Sequence, residues 1–173
     1  GNQEIYLLTR QGEMIKKVTS SWGINVSPEF SPDGGRLAFV SNRSGTPQIY
    51  IKDLASGDVS RVTFQGKYNT SPAWSPDGKK IAYVGIEENR IDIYLILLDR
   101  GPGMPVQLTR DQGDNEDPCW SPDGNLIVFS STRDGQGAAL FVMTAAGTDQ
   151  RRLMKMPGRQ TQPRWSGPVT NGE

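Results

Sequence analysis

One short phrase recurs four times along the chain at an almost constant distance, and this repeat constrains the fold more than any other feature. It is written "SPEFSPDG" at 27–34, "SPAWSPDG" at 71–78, "DPCWSPDG" at 117–124 and, in a degenerate form, "QPRWSGP" at 162–168. The successive starts are therefore 44, 46 and 45 residues apart. A fixed period of about 20–50 residues is typical of solenoids, propellers and repeat arrays. The chain builds one structural unit several times.

Each period contains four short β-like segments and no helical pattern. In the second unit these segments are "SPAWS" (71–75), "KKIAYVGI" (79–86), "RIDIYLILLD" (90–99) and "PVQLTR" (105–110). They are rich in aromatic, β-branched and leucine residues, and Gly, Pro, Asp or Asn lies at their ends, as expected of strands. Four antiparallel strands in about 40–45 residues are typical of a propeller blade. We therefore predict an all-β fold, a β-propeller of four-stranded antiparallel blades.

The phrase S-P-D-G itself predicts the hairpin turn between the first and second strands of each blade. Proline presets φ for the second position of a type I turn, serine can bond locally, and glycine adopts the left-handed conformation that ends a three-residue loop with a bulge. An aromatic side chain comes directly before each turn, and we expect it to pack between adjacent blades. These aromatic residues are Phe30, Trp74, Trp120 and Trp165.

The strand count predicts one partial propeller domain over residues 1–173. The predicted parts are a partial blade at 5–19 with third and fourth strands only, full blades at 27–64, 71–109 and 117–155, and the first strand of a further blade at 162–166. Propellers typically have 4–8 blades, so the chain is predicted to be a propeller fragment. An alternative, in which 162–166 joins 5–19 as a pseudo-fourth blade, is less favoured because first and third strands are not neighbours. Open blade faces expose apolar surface and strand edges, which predicts self-association.

Composition excludes several classes of function. Lysine plus arginine number 19, and aspartate plus glutamate also number 19, so no basic surplus exists for binding nucleic acid or a membrane surface. No run approaches about 18 apolar residues, so we expect no membrane insertion. The chain has no histidine, which removes the usual general base and the commonest metal ligand. We predict no enzymatic activity, no catalytic residue and no protein metal site.

Two other groups of residues carry side chains that could supply chemistry. The acidic cluster at 111–117 lacks the spacing of an EF-hand, so a solvated loop is the preferred interpretation. Binding of calcium in the propeller channel is an alternative if carbonyl groups at the ends of the first strands face the channel. Cys119 lies inside a predicted strand without a histidine partner, and we interpret it as a small buried thiol.

Longer phrases around the repeat resemble the propeller of the TolB family. They are "INVSPEFSPDGGRLAFVSNRSGTPQIYIKDLASG", "YNTSPAWSPDGKKIAYV", "NEDPCWSPDGNLIVFSSTRDG" and the tail "RRLMKMPGRQTQPRWSGP". The resemblance covers essentially the whole chain. It implies a six-bladed propeller that follows a smaller N-terminal α/β domain, with that domain and about two blades missing here. It also implies a periplasmic, non-enzymatic binding protein of Gram-negative bacteria. The implied partners are the peptidoglycan-associated lipoprotein Pal and, on the same surface, colicin-like peptides.

In a propeller, the loops that lead from a fourth strand into the next first strand open on one face. We call this set the rim, and it comprises residues 22–27, 67–71, 113–117 and 158–162. Loops on a rigid scaffold are the usual place for binding. The resemblance implies that the partner contacts come from the residues just before each strand-one proline. These candidates are Ile24, Asn25, Val26, Ser27, Tyr68, Asn69, Thr70, Ser71, Asn115, Glu116, Asp117, Gln160 and Thr161.

Tyr68 is the preferred anchor, because it is aromatic and lies outside the predicted strand. For each polar candidate there is an alternative, since Asn, Ser and Thr before proline are ordinary turn formers that satisfy backbone groups. Two other functions also stay open. One is the substrate-gating propeller of a serine oligopeptidase, and the other is a TolB-like propeller that senses a sugar or metabolite. The C-terminal phrase favours the TolB-type binding protein over the peptidase propeller.

Overall fold

The computed structural model describes residues 2–99 and 104–166, and all regular structure in them is β. They form fourteen strands and no helix. Accordingly, this part of the chain offers no helix that could cross a membrane. The predicted all-β class and the four-stranded antiparallel blades are confirmed. The predicted domain at 1–173 and the end of the fourth repeat at 167–168 extend outside the described residues.

Three four-stranded sheets follow one another along the chain, each with its strands in sequential antiparallel order. The first blade comprises β3 (Asn25–Phe30), β4 (Arg36–Ser41), β5 (Gln48–Asp53) and β6 (Val59–Arg61). The second comprises β7 (Tyr68–Trp74), β8 (Lys80–Glu87), β9 (Arg90–Leu97) and β10 (Val106–Gln107). The third comprises β11 (Asn115–Trp120), β12 (Leu126–Ser131), β13 (Ala139–Thr144) and β14 (Arg151–Arg152). Tyr68 thus begins a strand rather than preceding it, which corrects the prediction.

A two-stranded sheet precedes these blades. It consists of β1 (Tyr6–Leu8) and β2 (Met14–Lys17). Ile5 and Val18, at its ends, pack against Leu37 and Phe39 of the first blade. The sheet therefore covers one face of that blade.

Residues 162–166 are not a strand, contrary to the prediction. A strand exists by pairing, and no second strand follows in the described part of the chain. No pairing joins this segment to β1 or β2 there either, so the pseudo-fourth blade does not form. Gln162 nevertheless has the same backbone conformation as Ser27, Ser71 and Asp117, with φ between 50° and 53° in all four. The segment keeps the local shape of a first strand without its partner.

Apolar side chains from neighbouring blades form the core. Ala38, Ile49 and Ile51 of the first blade pack with Trp74 and Tyr83 of the second. The next interface repeats this arrangement with Trp120 against the second blade. Each tryptophan also donates its Nε1–H to a carbonyl oxygen of the preceding first strand, over 3.2 Å from Trp74 to Glu29 and 3.1 Å from Trp120 to Ala73. The expected packing between blades holds for these two residues, whereas Phe30, which follows the incomplete two-stranded unit, and Trp165, which has no blade of its own in the described residues, are exposed.

The repeated turn has one shape in all three blades. In the second blade, the Gly78 N–H donates to the Ser75 carbonyl over 2.9 Å, which closes the type I turn. The Ser75 hydroxyl donates to Asp77 over 2.6 Å and accepts from the Lys80 N–H over 2.9 Å. Because Ser75 pairs with Lys80, the loop has four residues rather than the three predicted. Gly78 has φ of 67°, the left-handed conformation that the sequence predicted.

Candidate partner-binding rim

A β-bulge interrupts the first strand of every blade at the rim. The register shifts between Val26 and Glu29, between Thr70 and Ala73, and between Glu116 and Cys119. The residue before each strand-one proline has positive φ, although it is not glycine. Bulges of this kind turn a side chain away from the ladder, and strained backbone is concentrated at functional sites. The bulged residues are Ser27, Ser71 and Asp117, and Gln162 of the unpaired fourth repeat has the same positive φ.

These four residues line a polar cavity of about 370 Å³ in the middle of the rim. The prolines that follow Ser27, Ser71 and Asp117 also line it, together with Glu29 and Arg164. Four successive repeats therefore converge on one opening. The geometry provides a polar mouth framed by backbone of one repeated conformation.

Glu29 is one of two carboxylates that line this cavity, and Asp117 is the other. The Glu29 Oε1 accepts a hydrogen bond from the Trp74 N–H over 3.3 Å. Burial raises the pKa of Glu29 to about 7, while the Trp74 N–H and the charge of Arg164 act in the opposite direction. The carboxyl group therefore changes its charge near neutral pH.

Three of the candidate contact residues are buried, which corrects their predicted role. Asn25, Asn69 and Asn115 expose at most 2% of their surface. The Asn69 Nδ2 donates to the Gln48 Oε1 over 2.8 Å, and the Thr63 hydroxyl donates to the same oxygen over 2.8 Å. Because its amide is occupied by the preceding blade, Asn69 holds the rim loop in place and does not face a partner.

The other two asparagines make the corresponding bonds. Asn115 donates to Asp92 over 3.2 Å, and the Thr109 hydroxyl donates to the same Asp92 oxygen over 2.7 Å. Asn25 donates to Glu4 over 3.3 Å, and Thr19 donates to the same carboxylate. A buried hydrogen-bonded triad thus links each full blade to the unit before it. Buried polar groups of this kind are costly unless they are satisfied, so the triads fix the rim loops.

Two arginines in the loops beside the rim complete this support. The Arg133 guanidinium donates to the Asn115 Oδ1 over 2.8 Å and lies over the Phe141 ring, 4.6 Å from its centre. Arg43 does the same in the first blade, at 3.1 Å from the Asn25 Oδ1 and 4.8 Å from the Tyr50 ring centre. Burial lowers the pKa of both guanidinium groups. These loops, 41–45 and 131–135, therefore brace the rim.

The triad is absent at the fourth repeat. Gln160 occupies the asparagine position, while Ala139 and Met154 replace the acceptor and the threonine. The Gln160 N–H still donates to the Ala138 carbonyl over 2.8 Å. Its side-chain Oε1, however, is buried and has no hydrogen-bond partner in the described residues. This end of the rim is less firmly held than the rest.

The remaining candidates reach solvent. Ile24, Ser27, Tyr68 and Thr161 are exposed. The half-buried ones are Val26, Thr70, Ser71, Glu116, Asp117 and Gln160. The structure thus brings ten of the thirteen predicted residues to the surface around one mouth.

Sequence reasoning missed Trp22, Glu29 and Arg164. Glu29 and Arg164 occupy the same repeat position as Ala73 and Cys119, and their approach to the cavity depends on the bulge. Trp22 is 86% exposed at the rim. Its signal was available, because it is the one tryptophan of the chain outside the repeated phrase.

Acidic residues gather on one side of the rim. Burial raises the pKa of Glu116, and the neighbouring charges of Asp117 and Asp114 raise it further, against the effect of Arg159. No three histidine, cysteine or acidic side chains in 2–99 and 104–166 are placed to hold a metal ion. Calcium in the channel, held by carbonyl oxygens, stays a prediction.

Comparisons with known proteins agree on one family. The family described as "TolB beta propeller domain" matches residues 1–169. A "Protein TolB homolog" of Chlorobium luteolum is 55% identical over 167 residues, which are 96% of this chain and 38% of the relative. A "Tol-Pal system protein TolB" of Desulfosudis oleivorans is 57% identical over 44 residues, 25% of this chain and 10% of the relative. The chain therefore spans well under half the length of these relatives.

Solved structures give the same result. The crystal structure of TolB from Acinetobacter baumannii superposes with a TM-score of 0.82 at 32% identity, over 94% of this chain and 40% of that one. A prolyl endopeptidase superposes with a TM-score of 0.63 at 21% identity, over 86% of this chain and 25% of that one. The second likeness shows a shared fold alone.

Proposed function

Because the chain belongs to the TolB β-propeller family, we propose that it is a non-enzymatic protein-binding propeller whose rim docks the lipoprotein Pal. It would act in the periplasm of a Gram-negative bacterium, within the Tol–Pal system after which one relative is named. Colicin-like peptides would use the same rim.

One observation carries this proposal. Four repeats that share a positive-φ residue before proline present exposed and half-buried side chains around a single polar mouth, on loops that buried triads hold at three of the four junctions. A surface that is rigid before binding loses little conformational entropy when a partner docks. A protein partner is favoured over a small ligand because the contact residues lie around an open mouth rather than inside an enclosed apolar pocket.

The peptidase alternative has weaker support. A relative with 55% identity over 96% of the chain is called a TolB homolog, whereas the prolyl endopeptidase shares only the fold. Fold alone does not carry function. No observation favours a bound sugar or metabolite.

The test uses Tyr68→Ala in the intact protein and the periplasmic domain of Pal from the same bacterium. Removing an exposed aromatic anchor should weaken binding, so the dissociation constant measured by calorimetry should increase about tenfold. Tyr6→Ala is the matched control, because Tyr6 is 49% exposed and Tyr68 is 43% exposed, but Tyr6 lies on β1 away from the rim. Equal affinity of the wild type and Tyr68→Ala would place the Pal contact elsewhere, and no binding by the wild type would refute the proposed function.

A further inference from the structure

Trp22 is an exposed indole on a firmly held loop. It is 86% exposed, and its ring has no hydrogen-bond partner within the described part of the chain. Its neighbours are fixed, because the Gly23 N–H donates to Asn2 over 3.2 Å and the Ile24 N–H donates to the Asn42 Oδ1 over 2.8 Å. A Cβ on Gly23 would lie 2.1 Å from that Asn42 oxygen, so the loop packs tightly at this point. Exposed aromatic residues on rigid loops are characteristic of binding hot spots.

Equivalent rim positions carry different chemistry in each repeat. The residue before the rim asparagine or glutamine is in turn Ile24, Tyr68, Asp114 and Arg159. The residue after it is in turn Val26, Thr70, Glu116 and Thr161. Around the mouth the surface therefore changes from apolar at the first junction, through aromatic at the second and acidic at the third, to basic at the fourth.

The third junction carries three carboxylates, and Arg159 of the neighbouring junction is the cation whose charge acts on Glu116. Asp114, Glu116 and Asp117 lie at one junction, and none of them forms an ion pair in the part of the chain that the structure describes. Burial and the like charges of its neighbours disfavour the ionised form of Glu116. A cation placed beside these groups would relieve that repulsion.

Resting on the proposed docking function, we infer that the rim selects a partner segment by its chemistry and its direction. The segment crosses the mouth with an aromatic or aliphatic side chain against Trp22 and Ile24 and with a lysine or arginine against Glu116 and Asp117. Ser27 and Asp117 line the same cavity, so one extended segment can reach both sides. Trp22 acts as the apolar anchor and the acidic junction sets the orientation.

The first experiment identifies the preferred chemistry without assuming a partner. A random-peptide display library is selected on the intact protein and, in parallel, on Trp22→Ala and on the double variant Glu116→Gln with Asp117→Asn. Enriched peptides should carry an apolar residue and a basic residue in a constant order. Trp22→Ala should lose the apolar preference, and the double variant should lose the basic one. Absence of enrichment, or enrichment of peptides without a basic residue, overturns the inference.

The second experiment separates this inference from the proposed function. Pal is titrated against the same variants at low and high salt. Trp22→Ala should weaken binding about tenfold or more, as hot-spot aromatic residues do, and the double variant should reduce the salt dependence. Tyr6→Ala serves as the control. Normal Pal binding by Trp22→Ala overturns the inference and leaves the docking function intact. Failure of the wild type to bind Pal refutes the docking function, and the display result then decides the inference alone.

Discussion

At the scale of single residues, Glu29 couples the cavity to stability. Its pKa is about 7 in the folded chain and about 4.5 when it is free of burial. Between these values the folded state binds more protons than the unfolded state, so the free energy of unfolding falls as pH rises from about 4.5 to about 7. Glu29→Gln keeps an acceptor for the Trp74 N–H and removes the buried charge. We expect it to stabilise the chain by about 1–3 kcal/mol at pH of about 8 and to have little effect at about pH 4.

Urea denaturation at both pH values, followed by tryptophan fluorescence, checks this expectation. From about pH 4 to about pH 8, the free energy of unfolding of the wild type should fall relative to that of Glu29→Gln. If the two proteins keep the same stability difference at both pH values, Glu29 does not titrate in this range in the folded state.

The buried asparagines show where residue-level prediction fails. Asn69 precedes a serine and a proline, and by sequence alone such a residue is a turn former or an exposed contact. Its burial depends on Gln48 and Thr63, which belong to the preceding blade. A single sequence does not reveal such side-chain pairings. By contrast, Ile24 lies in a loop and Tyr68 at the first position of β7, and both are exposed, as expected of surface residues.

At the scale of elements, the repeated aromatic position separates complete from incomplete interfaces. Trp120 is 6% exposed between the second and third blades, and Trp165 is 40% exposed at the last repeat. Trp120→Ala should therefore destabilise the chain by about 3–5 kcal/mol, because it removes buried packing contacts and leaves a cavity. Trp165→Ala should cost about 1 kcal/mol or less, because a half-exposed side chain leaves little void. Equal losses in urea denaturation would contradict the assigned interfaces.

Most elements could be predicted from the period and from turn chemistry. The S-P-D-G phrase specifies a hairpin, and short apolar runs rich in aromatic, β-branched and leucine residues indicate the strands. The bulge before each proline could not be predicted, because positive φ at Ser71 or Asp117 runs against the usual preference of a residue that precedes proline. Since this backbone conformation decides which side chains face the cavity, Glu29 and Arg164 could not be predicted as part of its lining. The strand at 162–166 was overpredicted for the opposite reason, since its local sequence suits a strand that has no partner.

At the scale of the whole molecule, the two ends of the blade series have uncovered apolar faces. Tyr6, Leu8, Met14 and Ile15 are exposed on the two-stranded sheet, and Leu153, Met154, Met156 and Trp165 are exposed at the other end. Contiguous apolar surface of this kind favours association. We therefore expect the 173-residue chain, expressed alone, to form oligomers whose size increases with concentration in sedimentation velocity.

Two lysine substitutions test which surface is responsible. Leu8→Lys with Ile15→Lys places two charges on the exposed face of the two-stranded sheet, and it should shift the chain towards monomer because a buried lysine in the contact would have to be desolvated. Val59→Lys is the control, since Val59 is exposed on the outer strand β6 and lies on neither open face. A wild-type chain that stays monomeric at all concentrations and does not bind an apolar dye would contradict the expectation. Dissociation by the control as well would show that added charge, and not the open face, governs association.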